Sequence, residues 1–96
     1  MKSRERIPAV AGKFYPASPL ELEREMKQLF AGAGPKEYEN VRAVISPHAG
    51  YVFSGTVAAS AFNQVDGGKK YERIFIIGSS HHVTLQGAAV YTQGNF

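Results

Sequence analysis

Arg73-Ile74-Phe75-Ile76-Ile77-Gly78 is the stretch on which the reading of this chain turns. Its apolar residues run continuously, with no in-out alternation. That is the pattern of a strand in a parallel sheet, covered on both faces. Upstream, Val41-Arg42-Ala43-Val44-Ile45 is a second short, β-branched run. Between the two, Val57, Ala61, Phe62 and Val65 recur at helical spacing over residues 56–65, after a loop at 49–53. Asp66-Gly67-Gly68 stops that helix. Residues 41–78 therefore read as a βαβ unit, with parallel strands and a right-handed crossover. The expected fold class is α/β: a parallel or mixed sheet with flanking helices. Ala88-Ala89-Val90-Tyr91 is a third, shorter strand candidate.

The N-terminal third carries the clearest helix signal. In Ser18-Pro19-Leu20-Glu21, serine can cap, proline fits the first helical position and glutamate completes the capping box. Leu22, Met26, Leu29 and Phe30 then form one apolar stripe, and Gly32, Gly34 and Pro35 end the helix. Glu23 and Lys27 stand at the favourable i, i+4 spacing on the polar face. Before this helix, Ile7 to Pro16 is apolar but has prolines near both ends, which predicts an extended strap rather than a central strand. Within it, Phe14 and Tyr15 either plug a core edge or line a pocket. Residues 1–6 read as a mobile tail.

Both predicted parallel strands run into histidine. Ile45-Ser46-Pro47-His48-Ala49-Gly50-Tyr51 follows the first, and Gly78-Ser79-Ser80-His81-His82 follows the second. In a parallel sheet the C-terminal ends of neighbouring strands share one edge, about 4.8 Å apart, and ligands bind outside that edge. Two imidazoles there, His48 and His81, can reach a common metal ion at about 2.1 Å from each nitrogen. Adjacent side chains diverge in extended backbone, so His82 is cast as a second-sphere or acid/base group. A metal-free polar pocket and three unrelated histidines remain as alternative readings of the spacing. Ser80 and Ser54 are the nucleophile candidates, but Gly-Ser-Ser-His is not the Gly-x-Ser-x-Gly elbow.

The totals narrow the classes. Ninety-six residues allow at most one small domain. Eleven basic against eight acidic residues give a net charge of +3, scattered along the chain, which argues against a nucleic-acid partner. There is no cysteine, so there is no disulfide framework and any metal must be held by histidine, carboxylate or water. No run is long enough to span a bilayer and no signal peptide is evident, so a cytoplasmic protein with no membrane partner is expected. The third metal ligand is not evident: Asp66 lies at the far end of the crossover helix, and the acids of the first helix belong to its solvated face.

Three stretches together, Arg6 to Pro16, Pro47 to Gly55 and Arg73 to His82, resemble the N-terminal part of the Memo family, whose members are also called AmmeMemoRadiSam system protein B. The resemblance covers essentially the whole chain. Memo proteins are similar to class III extradiol dioxygenases of the LigB type, which use non-heme Fe(II) in an α/β fold. The resemblance implies that His48 and His81 are metal ligands, for Fe(II) first, with Cu or Zn as alternatives. It implies a third ligand, cysteine or carboxylate, beyond residue 96, so that residues 1–96 form the N-terminal portion of an incomplete single domain. Phe14, Tyr51 and Phe53 match aromatic positions near the family's pocket; together with Ser80 and His82, read from the residues themselves, they are the second-sphere or pocket candidates. The function expected is metal-dependent redox chemistry of the extradiol dioxygenase type on a small-molecule substrate. The alternative is a non-catalytic metal- or peptide-binding module acting with a radical-SAM or signalling partner. With two helices and three strands the sheet could not be fully covered, so isolated residues 1–96 should expose apolar strand edges.

Overall fold

The computed structural model describes residues 4–96. These divide into two compact units: residues 9–70, and residues 4–8 joined to 71–96.

Residues 9–70 are a helical pair with its connecting segments. Helix α1 spans Pro19–Ala31, with the boundaries its punctuation predicts. Ser18 is in extended conformation and its Oγ accepts the Glu21 amide at 3.4 Å, while Pro19 occupies the first turn, where its missing N–H costs nothing. The Lys27 ammonium lies 3.2 Å from the Glu23 carboxylate. Both side chains are well exposed, so the pair adds about 0.3–0.5 kcal/mol.

Helix α2 spans Tyr51–Phe62, five residues earlier in its start than the sequence suggests. The reason is tertiary. Gly50, at the N-cap, offers no side chain to hold the first turn. Instead the Tyr51 N–H donates to the Phe14 carbonyl at 2.8 Å, so the strap supplies the missing acceptor. The strap itself is turned rather than extended. The Lys13 and Phe14 amides both donate to the Val10 carbonyl, the Gly12 amide donates to Tyr15, and Gly12 adopts φ +82°. Only glycine adopts that conformation freely.

The packed face of α2 also differs from expectation. Val57 and Phe62 are exposed, and the buried residues are Ser54, Gly55 and Ala59. Gly55 explains the choice: a Cβ built there would meet the two Leu29 methyls at 3.0 and 3.3 Å. Leu29 of α1 thus seats where glycine leaves room, and the close approach selects the small-residue face over the bulkier one.

The exit from α1 is tied to the end of α2. The Gly34 amide donates to Ser60 Oγ at 2.9 Å and the Gly34 carbonyl accepts from Asn63 Nδ2 at 2.9 Å. Gln64 uses both ends of its carboxamide: Nε2 donates to Pro35 O at 2.9 Å, and Oε1 accepts the Glu37 and Tyr38 amides at 2.8 and 3.3 Å. A side-chain amide stands in for the neighbouring strand that this backbone would otherwise need.

In the second unit, β1 (Arg4–Glu5) pairs in parallel with β2 (Gly94–Asn95), and the Arg6 amide extends the pairing to Asn95 O at 2.6 Å. Residues 4 and 5 are therefore paired rather than a free tail; residues 1–3 of that expected tail lie outside the described residues. The Arg6 guanidinium carbon stands 5.0 Å from the centre of the Phe96 ring, which meets Tyr91 edge-on at 5.3 Å.

The sheet of the predicted βαβ unit is not seen among the described residues. Residues 41–45, 73–78 and 88–91 have no strand pairing among the described residues, and Ile45, Ile74 and Ile77 are largely exposed. The physical reason is that a strand, unlike a helix, has no hydrogen bonds of its own. Each ladder bond needs a neighbour, and a two-stranded pairing is marginal without a layer to cover it.

Candidate functional site

His48 precedes the N-cap of α2 by two residues and is exposed. The backbone on both sides of it is held by hydroxyls. Before it, Ser46 Oγ donates to the Pro47 carbonyl at 3.0 Å. After it, Ser54 Oγ donates to the Ala49 carbonyl at 2.9 Å, with a longer 3.5 Å approach to Gly50 O. Gly50 lies against the strap: a Cβ there would stand 3.4 Å from Phe14 O and 3.5 Å from Phe14 Cα. The next residue, Tyr51, brings its ring to 5.7 Å from that of Tyr15, tilted by 38°. Phe14 is half-exposed, and Phe53 points into solvent at 86% exposure. Of the aromatic residues expected near a pocket, Phe14 and Tyr51 are thus joined through the backbone bond at the start of α2.

Ser80, His81 and His82 belong to the other unit, where all three are exposed. Ser80 Oγ donates to the Val83 carbonyl, closing a local turn around the two histidines. The hydroxyl is therefore engaged with backbone, as suits a turn residue.

The donors have the right chemistry for a divalent transition ion. Neutral imidazole on a loop is the commonest nitrogen ligand for Fe, Cu, Zn and Ni. Their number is short of a complete site: among the described residues no three of His, Asp or Glu come together in a group able to hold an ion.

The sequence offers Ser54-Gly55-Thr56 as cap chemistry for a helix from about 56, but the helix starts at Tyr51 and Ser54 lies inside it, bonded to Ala49 O. The sequence marks Ala58, Ala59, Ser60 and Ala61 as small residues suited to tight packing, and gives no sign of the ties made by Asn63 and Gln64. Ser54-Gly55 and Ala58-Ala59 recur at i, i+4 within a helix free of charged residues, and such small residues mark where another element comes close.

The described residues combine an α-helical pair, a histidine ahead of α2 and strand-like apolar runs that are exposed. Comparison with known proteins adds the family. The model of the family described as Memo-like protein matches residues 6–96, and the chain belongs to that family. The family's fold is α/β in general. The chain is 45% identical over 82 residues to the Protein memo-1 homolog of Caenorhabditis elegans, an alignment covering 85% of this chain and 23% of that protein. It is 53% identical over 57 residues to a MEMO1 family protein of Methanosarcina barkeri, covering 59% and 21% respectively. It is 41% identical over 99 residues to a MEMO1 family protein of Caldivirga maquilingensis, covering 95% and 35%. The chain thus spans between a fifth and about a third of the length of these relatives. No solved structure matches it. No helix among the described residues is long and apolar enough to cross a membrane.

Proposed function

We propose that this chain supplies the two histidine ligands of a metal-dependent redox protein, His48 and His81, with a third ligand contributed from outside residues 1–96. In this reading residues 41–45 and 73–78 become parallel neighbours once the rest of an α/β domain is present, and their C-terminal ends carry both imidazoles to one sheet edge. The observation that carries the proposal is the repeat itself. All three histidines of the chain follow two apolar runs joined by one helix, in a chain of the Memo-like family. Exposure of His48 beside the helix start is compatible with its reaching an ion from the loop.

A bound ion, Fe(II) first and Cu or Zn otherwise, would supply Lewis-acid activation of a small organic substrate and, were it iron or copper, electron transfer as well. This chain's residues do the rest. His48 and His81 hold the ion, His82 donates or accepts a proton beside it, and Phe14, Tyr51 and Phe53 provide apolar faces for an aromatic or peptide ligand. Ser80 fixes the turn that presents His81. Action in the cytoplasm, alongside a radical-SAM or signalling partner, belongs to the same proposal.

The test is metal analysis of the full-length protein, followed by oxygen uptake with catechol-like compounds. Iron together with oxygen consumption establishes the oxidoreductase reading. Metal without turnover establishes a binding module instead. His48→Ala and His81→Ala should each abolish metal retention; retention in both variants refutes the site.

A further inference from the structure

We propose that Ser54 is a positioning residue for His48: its hydroxyl sets the direction of the loop that presents the imidazole. The inference rests on the reading of His48 as a ligand and deepens it.

Ser54 is only 8% exposed and lies one turn inside α2. A serine inside a helix ordinarily returns its hydroxyl to the carbonyl four residues back, at a small cost to the helix. Here the shorter bond goes one residue further, to Ala49 O at 2.9 Å, against 3.5 Å to Gly50 O. The hydroxyl therefore reaches past the end of the helix into the histidine loop. Alanine is the better helix former, and α2 already uses it at positions 58, 59 and 61. The polar atom at position 54 gains the helix nothing that alanine would not supply. What it does is fix the peptide plane between Ala49 and Gly50.

The neighbouring ties make that plane decisive. A peptide is rigid, so anchoring one carbonyl fixes six atoms. The next peptide is anchored by the Tyr51 amide on Phe14 O. On the other side of His48, Pro47 has its φ set by its ring and its carbonyl held by Ser46. His48 sits between these anchors, leaving few backbone rotations to aim its ring. Loss of a partner bonded directly to a metal ligand typically weakens binding about 10–100-fold; Ser54 acts through the adjoining peptide, so the lower end applies.

The experiment uses the full-length protein and Co(II) as the probe, its affinity read by competition with a chromophoric chelator and its geometry by the visible absorption of the bound ion. Ser54→Ala should weaken Co(II) binding about 10-fold and alter the spectrum. Ser54→Thr, which keeps the hydroxyl, should restore both, whereas Ser54→Val, matched to threonine in shape, should behave like alanine. His48→Ala is the control for the underlying reading: if it leaves Co(II) affinity intact, His48 is not a ligand and that reading fails on its own. If His48→Ala abolishes binding while the alanine and valine variants bind as wild type, the positioning role is overturned. Equal affinities for the threonine and valine variants overturn it too, because the hydroxyl then does nothing. Failure of both the alanine and valine variants to fold assigns the hydroxyl to stability alone and likewise overturns it.

Discussion

Residues 9–70 and residues 71–96 are built from similarly apolar sequence, yet they behave differently. In the first, two helices form at 19–31 and 51–62 and their connections are tied by named bonds: Ser18 to Glu21, Phe14 to Tyr51, Ser60 and Asn63 to Gly34, Gln64 to residues 35–38. In the second, the most apolar run of the chain, Ile74-Phe75-Ile76-Ile77, is fully strand-like in composition and has no ladder among the described residues. The contrast shows how far local signals reach. A helix satisfies its backbone within itself, so caps and periodicity suffice to place it. A buried strand has to borrow every hydrogen bond from a neighbour.

Hydrogen exchange on isolated residues 1–96 gives the largest expected difference between the two regions. Amides in the middle of α1 should be protected, whereas those of Ile74 to Ile77 should exchange near the rate of an unstructured chain. In a full-length family chain the same four amides should become slow. Protection of 74–77 in the isolated chain would mean that the strand finds a partner within residues 1–96, and the contrast would vanish.

Within residues 9–70, Gly55→Val should cost about 1–3 kcal/mol in urea unfolding, because the added side chain overpacks against Leu29. Gly55→Ala should cost much less. The strain of a methyl group 3.0 Å from Leu29 Cδ1 is offset by roughly 1 kcal/mol of helix propensity. A tolerant response to valine would show that the two helices do not rely on this close approach. Gln64→Ala removes the clamp on residues 35–38 and should cost about 1 kcal/mol, three exposed bonds being worth much less than three buried ones. Ser18→Ala should cost about 1 kcal/mol at the α1 cap. The smallest effect belongs to Glu23→Gln, about 0.3–0.5 kcal/mol at low salt and less as salt screens the exposed pair.

Helix α2 marks the boundary between what could and could not be read. The spacing of Val57, Ala61, Phe62 and Val65 predicts one packed face, but α2 ends at Phe62, its buried residues are Ser54, Gly55 and Ala59, and its start moves back to Tyr51 because Phe14 supplies an acceptor. Val52, Phe53, Val57 and Phe62 remain exposed on a helix with no charged residue. Helices this poor in polar residues are ordinarily buried ones. The histidine corners were legible because they depend on sequence order alone: apolar run, small-residue turn, histidine, twice. The tie from Ser54 to Ala49 was not legible, since it depends on which way a carbonyl points.

Sequence by itself determined α1, its cap and its ion pair, the family, and the recurrence of histidine after each apolar run. These rest on interactions within a few residues or on patterns that need no coordinates. Tertiary structure alone decided where α2 begins, which of its faces meets Leu29, and that Gln64 and Ser54 hold the loops at its two ends. Each of these is set by groups far apart in the chain meeting at hydrogen-bond distance, and no periodicity along one segment encodes the partner that another segment will bring.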